Sequence, residues 1–252
     1  MDSQFDAFVR AYENDEYLPF RRHIEAHSFF KALGSTEGAE VLDVGCGAGL
    51  YTRRLQQRGA ARVLGLDAAR NMIEYARERE AEERLGLEYV IDDVSNAARY
   101  GAFDVVTAIY VLPYAETEEK LHAMCKGICD ALRPGGRLVA MPISPRISYS
   151  REDFYKPYGF TIYPVNPEHQ GLERLPDTAP IRLLTHVPEI PLDVIAYHWS
   201  AETQERVLRE AGFSSVTWQP VEVSPEGVQR YGADIWQTYL ERPHSSPLVA
   251  VK

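Results

Sequence analysis

Three glycines at two-residue spacing, Gly45, Gly47 and Gly49, stand between an apolar run and a helical pattern in "VLDVGCGAGLYTRRL". Glycine removes Cβ atoms where a ligand must approach the backbone, and the first turn of the following helix offers unpaired N–H groups to a carboxylate or phosphate. About twenty residues on, Asp67 closes a second apolar run, "VLGLD", where a carboxylate can accept two hydrogen bonds from ribose hydroxyls. Asp92 and Asp93 follow a third run, "LEYVI". A carboxylate there can accept a hydrogen bond from an exocyclic adenine amine, with the backbone N–H of Val94 beside it. The same aspartates also suit helix caps and turns. Nicotinamide sites favour G-x-G-x-x-G, and Leu50 stands where the third glycine of that motif falls. Asp43, inside the strand, occupies a position that such sites usually give to an apolar residue.

These groups converge only if the chain folds as alternating strands and helices, and the periodicity predicts that. "FDAFVRAY" and "RRHIEAHSFFKAL" repeat apolar residues every three or four positions and read as two helices, the second ending at Gly34. From "AEVLDVG" to "GRLVAM" short apolar strands alternate with amphipathic helices, which argues for a parallel sheet covered on both faces. Regularity stops between Met141 and Tyr197, a proline-rich stretch carrying Tyr149, Tyr155, Tyr158 and Tyr163, which reads as an ordered lid. A helix capped by Ser200, a strand in "SSVTWQPV", a helix around "GVQRYGADIWQTYL" and a last strand "LVAVK" complete the pattern. The expected architecture is α/β: a Rossmann-like, seven-stranded, mostly parallel sheet with helices on both faces. It makes one domain, with an N-terminal helical cap (1-36), a ligand-binding core (37-142), an inserted lid (143-197) and a C-terminal part of the core (198-252).

Composition narrows the partners. With 37 acidic and 27 basic residues, the 252-residue chain carries a net charge of −10, which repels a nucleic-acid backbone. Hydrophobic residues at 45% and charged residues at 25% suit a packed core. The three cysteines, Cys46, Cys125 and Cys129, lack zinc or redox spacing and read as buried small residues. His23 and His27 share a helix face without a third ligand, so no metal is expected. No leader and no membrane-length apolar run is evident, so the chain is expected in the cytoplasm, as a monomer or homodimer.

From Glu40 to Met141 the chain resembles the class I S-adenosylmethionine-dependent methyltransferases. "VLDVGCGAG" is similar to their first motif, "FDVVTAIYVLPYA" to their fourth and "LRPGGRLVA" to their sixth. The resemblance implies a C-terminal antiparallel hairpin and S-adenosylmethionine as cofactor, released as S-adenosylhomocysteine. It implies that Asp43, Gly45, Gly47 and Gly49 form the loop that holds the methionine portion and that Asp67 holds the ribose. Met72 packs on adenine, with Asp93 and Val94 where adenine is read. The N-terminal helices, the long insertion and "YGADIWQTYL" suggest the small-molecule branch, near the toxoflavin-pathway N-methyltransferases. In that branch the N-terminal helices close over the cofactor, so Tyr12 and Arg22 are expected at the cofactor and Tyr17 at the acceptor.

A sulfonium methyl group is already electrophilic, so such an enzyme aligns a nucleophile, excludes water and removes a proton where the nucleophile carries one. His198 beside the lid and His23 on the N-terminal helix are the candidate bases. Tyr110 lies just past the fourth strand and is expected to touch the cofactor. Tyr114, Tyr158, Trp199 and Trp236 are expected to line an acceptor pocket for an aromatic or heterocyclic small molecule. Two other classes stay open on the sequence: a nicotinamide-dependent oxidoreductase, and an S-adenosylmethionine-binding protein that catalyses a cyclisation or only binds.

Overall fold

The computed structural model describes residues 18–188 and 191–252. Tyr12 and Tyr17, expected at the cofactor and the acceptor, lie outside the described residues. The strands are β1 (Glu40–Val44), β2 (Arg62–Asp67), β3 (Glu88–Ile91), β4 (Phe103–Ile109), β5 (Leu132–Met141), β6 (Phe160–Pro164), β7 (Pro180–Thr185), β8 (Asp193–Tyr197), β9 (Ser215–Trp218) and β10 (Leu248–Val251). A π-helical turn, Arg21–Ala26, runs into α1 (His27–Leu33). The other helices are α2 (Leu50–Gln57), α3 (Arg70–Glu83), α4 (Glu118–Asp130), α5 (Ala201–Ala211), α6 (Pro225–Tyr231) and α7 (Asp234–Glu241).

Seven strands form one sheet in the order β3-β2-β1-β4-β5-β10-β9. β1 pairs in parallel with both β2 and β4, and β10 runs antiparallel to both β5 and β9. The chain runs outwards from β1 through β2 to β3 and then crosses back to β4 on the other side of β1, so the loops leaving β1 and β4 part at their C-terminal ends and leave a crevice, the usual place for a ligand in an open α/β sheet.

Alternation along the strands builds two cores. Val41, Val63, Val105 and Val139 face α1, α2 and α3, where they meet Phe29, Leu33, Leu55 and Ile73. Leu42, Val44, Leu64, Leu66, Val106 and Leu138 face α4 and α5, meeting Leu121, Cys125, Ile128, Val207 and Leu208. Side chains two apart on a strand share a face, so these near-continuous apolar runs are what a sheet covered on both sides requires.

The structure revises two expectations. The segment around 143-197 contains a three-stranded antiparallel sheet, β6-β7-β8, packed over a third apolar core with Leu18, Phe20, Ile24, Trp236 and Tyr239. Prolines at Pro164 and Pro180 sit at strand ends, where the missing N–H costs nothing, so the proline content did not preclude strands. The single helix expected around "GVQRYGADIWQTYL" is two, α6 and α7, broken at Gly232 with φ +81°.

Candidate active site

The glycine turn joins β1 to α2, and Gly45, Gly47 and Gly49 have φ of +63°, +54° and +84°, in the left-handed region that favours glycine. Gly45 and Gly49 act on space as well as on torsion, a Cβ on Gly49 standing 2.5 Å from the Tyr89 hydroxyl. A Cβ on Gly45 would stand 2.4 Å from Val111 Cγ2, so glycine lets the loop after β4 close against the turn. A Cβ on Gly47 would meet nothing within 4 Å, and Gly47 lines a cavity of about 280 Å³, so that side of the turn is kept open for a ligand.

The carboxylates are tied to this turn. Asp43 is buried on β1 and accepts hydrogen bonds from the Thr52 and Thr107 hydroxyls, each at 2.7 Å, which link α2 and β4 to the central strand. Burial pushes its carboxyl up to about 6, against the pull of the two threonines. Asp67 accepts the Gly47 N–H at Oδ2 and the Ala69 N–H at Oδ1, both at 2.8 Å. Asp93 caps the turn after β3 by accepting from Ser95 N at 2.9 Å. Asp92 is drawn into a separate contact set with Asn96 and Tyr100. Asp43, Gly45, Gly47, Asp67, Met72, Asp93, Val94 and Tyr110 all line the 280 Å³ cavity, with Arg21, Cys46, Tyr51 and Tyr114. Gly49 stands at the N-cap of α2, immediately behind it.

A second cavity of about 100 Å³ adjoins the first, and Arg21, Tyr110 and Tyr114 line both. Its walls are mainly apolar: Phe160, Ile162, Ile181, Leu183, Val194 and Ala196 from the three-stranded sheet. Its polar end is a buried cluster that sequence reasoning missed. Tyr110, which has φ +57° at the end of β4, donates its hydroxyl to Glu25 Oε1. Backbone of this kind in a non-glycine residue is strained and concentrates at functional sites. His244 Nε2 lies 3.2 Å from both Glu25 Oε1 and the Tyr110 hydroxyl, and its Nδ1 is 2.8 Å from the Tyr239 hydroxyl. Burial pushes Glu25 up to about 7, with Tyr110, Arg21 and Tyr239 pulling the other way, and pushes His244 down to about 3. Low dielectric penalises both charges, so the pair shares its proton as neutral groups in acid and Glu25 becomes anionic near neutrality.

Several expected site residues lie elsewhere, and packing explains each. His198 does not line either cavity: it is buried under the lid, its Nδ1 3.1 Å from the Tyr149 hydroxyl, and burial takes it down to about 4. His23 points to the opposite side of its helix, with Nδ1 2.9 Å from Ser224 Oγ and its ring against Tyr231 and Trp236. Tyr158 donates to Ile235 O, Trp199 to Ala115 O and Trp236 to Gly227 O, so each buried aromatic anchors a loop or helix and none lines either of the two cavities. Arg22 makes a surface ion pair with Glu226, while its neighbour Arg21 lines both cavities. The i→i+5 bonding of the π turn shifts the helix phase by one residue per turn relative to an α-helix, which an α-helical reading of "RRHIE" does not register.

Arg21→Ala is therefore expected to weaken cofactor binding about tenfold or more, whereas Arg22→Ala, losing a solvent-exposed pair worth about 0–1 kcal/mol, leaves it unchanged. Parallel calorimetric titrations decide this, and a reversed order would refute the placement of the turn.

The crevice at the β1/β4 switch, the glycine turn and the aspartates at successive strand ends define a nucleoside-binding Rossmann-like domain. A methyltransferase domain family matches residues 41–136. The chain is 28% identical over 127 residues to the ubiquinone biosynthesis O-methyltransferase of Coxiella burnetii, covering 50% of this chain and 49% of that protein. It therefore spans about half the length of the first curated relatives it matches. It is also 28% identical over 215 residues to the demethylmenaquinone methyltransferase of Lactococcus lactis, covering 80% of this chain and 77% of that one. An S-adenosylmethionine-dependent methyltransferase from Mesorhizobium loti has the same fold, with a TM-score of 0.60 at 22% identity, over 90% of this chain and 97% of the other. Residues 41–136 thus match a methyltransferase domain, and the chain has the fold of S-adenosylmethionine-dependent methyltransferases. The residues present fit that cofactor: the open side of Gly47 and the guanidinium of Arg21 suit its amino-acid end, Asp67 its ribose, and Met72, Asp93 and Val94 its adenine. Among the described residues, no helix is long and apolar enough to cross a membrane, and no group of three or more His, Cys, Asp or Glu is placed to hold a metal ion.

Proposed function

We propose that this protein transfers the methyl group of S-adenosylmethionine to a small, flat, largely apolar molecule. The observation that carries this reading is the pair of cavities joined at Arg21, Tyr110 and Tyr114, one lined by cofactor-type groups and the other walled by the inserted sheet. An engineered apolar cavity of about 150 Å³ takes up benzene, so a chamber of about 100 Å³ that shares lining residues with the 280 Å³ cleft is on the scale of a single ring and not of a polymer. The net charge of −10 argues in the same direction against a nucleic-acid acceptor. The quinone-pathway relatives, one of them named as an O-methyltransferase, support a ring-bearing acceptor and oxygen as the methylated atom.

When bound, the cofactor supplies an electrophilic methyl group. Tyr110 and Tyr114, on the loop that closes β4, border the passage between the cavities and orient the acceptor towards it. The lid sheet excludes water from the chamber, which protects the line of attack and strengthens the polar contacts inside.

Calorimetric titration with S-adenosylmethionine and with NADH, followed by assay of S-adenosylhomocysteine release with a panel of small phenols and N-heterocycles, tests the reading. Binding of S-adenosylmethionine with acceptor-dependent release supports it. Preference for NADH, or binding with no release for any acceptor, overturns it.

A further inference from the structure

We propose that Glu25 is the proton acceptor of the reaction, taking the proton from a phenol-type hydroxyl of a molecule held in the second cavity. The proposal rests on the methyl-transfer reading. It assigns a catalytic role to a residue on the N-terminal turn.

The argument begins with what the chamber offers. Six apolar side chains of the lid sheet form its walls, and its polar groups are Glu25, His244, Tyr110, Tyr114 and Thr185, with Arg21 at the mouth shared with the cofactor cleft. An ionised carboxylate only accepts hydrogen bonds, so the ligand group that meets Glu25 must be a donor. A flat ring bearing one hydroxyl satisfies both the apolar walls and the single carboxylate.

Glu25 is 3% exposed, and a carboxylate buried to this degree is costly unless it is paired or used. A glutamine of the same shape would fill the same space without that cost, so a packing role does not explain the acid. The groups facing it are Arg21 on its own turn, Tyr110 from the end of β4, His244 from the segment before β10 and Tyr239 from α7. Tyr155 of the lid packs its ring against both His244 and Tyr239. Tyr110 and His244 both contact Glu25 Oε1 and fix the carboxyl group at the polar end of the chamber. In that position the acceptor oxygen forms its bond to the methyl carbon as the carbon–sulfur bond breaks with its electron pair on sulfur. The hydroxyl proton passes to Glu25 and from there to solvent as product leaves. A carboxyl raised to about 7 is basic enough to help and is about half ionised at neutral pH.

The test uses wild type, Glu25→Gln and Glu25→Asp with two acceptors, phenol and 4-nitrophenol, the second of which ionises near neutrality unaided. In Glu25→Gln, kcat for phenol is expected to fall about 10²–10⁴-fold with little change in KM, while 4-nitrophenol loses less than about tenfold. Glu25→Asp should recover part of the loss. The wild-type rate with phenol should rise with pH through about 7, and Glu25→Gln should lose that limb. A second readout needs no turnover. The folded protein holds this proton where the unfolded chain has released it, so Glu25 lowers stability as pH rises from about 4.5 to 7. Thermal unfolding of Glu25→Gln should therefore show a shallower fall over that window. Equal losses for both phenols, an unchanged pH limb, or no turnover of either phenol by wild type that binds S-adenosylmethionine would overturn the assignment. Failure of wild type to bind S-adenosylmethionine would instead overturn the methyl-transfer reading itself.

Discussion

Replacement of Asp67 by alanine is expected to weaken S-adenosylmethionine binding by roughly two orders of magnitude or more. Its carboxylate is placed for two tasks. It accepts the Gly47 and Ala69 N–H groups, each at 2.8 Å, which fixes the glycine turn and the start of α3, and it lines the cavity, where ribose hydroxyls are its expected partners. Hydrogen bonds to a charged group contribute about 1.5–3 kcal/mol each. Loss of two ribose contacts alone thus amounts to about 3 kcal/mol or more, and every 1.4 kcal/mol is tenfold in affinity. Asp67→Asn should fall between, because its amide keeps one acceptor oxygen but sets an NH₂ group against one of the two backbone donors. Calorimetry on the three proteins at neutral pH provides the comparison. An alanine variant that binds within threefold of wild type would remove Asp67 from the site.

The second large effect is on stability. Trp199→Ala is expected to destabilise the fold by about 3–5 kcal/mol, the usual range for a buried tryptophan, and to lower Tm by roughly 10 °C in a chain of this size. Trp199 is 2% exposed and packs in the core formed with α4 and α5. Its Nε1–H donates to Ala115 O at 3.1 Å, immediately after Tyr114. Removal leaves a cavity and an unsatisfied carbonyl at the base of the loop that carries Tyr110 and Tyr114. Urea unfolding measures the loss. If Trp199 instead contacted the acceptor, as its place beside the lid suggests from sequence, the variant would keep its unfolding midpoint and raise KM.

These two residues also mark which expected positions line the cavity and which pack elsewhere. The glycine turn, Asp43, Asp67, Met72, Asp93 and Val94 were legible because each stands at a fixed offset from the end of a strand, and a parallel sheet brings successive strand ends to one edge. Asp92 and Asp93 were equivalent by type and spacing. Only the contacts separate them, Asp92 being held by Asn96 and Tyr100 and Asp93 facing the cavity. The aromatics expected at the acceptor pocket, Tyr158, Trp199 and Trp236, line neither of the two cavities, and their polar tips donate to backbone carbonyls. Composition cannot make that distinction, since large amphipathic rings serve both purposes.

The sequence by itself determined the local code: an apolar strand, a glycine turn and a helix start, repeated with acidic residues at strand ends, which is sufficient for the Rossmann-like sheet and its cofactor edge. It did so because strand period, turn torsion and helix capping act over a few residues and are written in adjacent side chains. Tertiary structure alone decided the acceptor side. Glu25 on a π-helical turn, Tyr110 at the end of β4 and His244 before β10 are separated by 85 and 134 residues, and nothing in their neighbouring residues marks them as partners. They meet because the N-terminal turn and the lid sheet share one apolar core, at whose edge Tyr110 and His244 reach Glu25. Packing on that scale excludes water from the cluster, and the exclusion of water is what gives an ordinary glutamate its raised proton affinity.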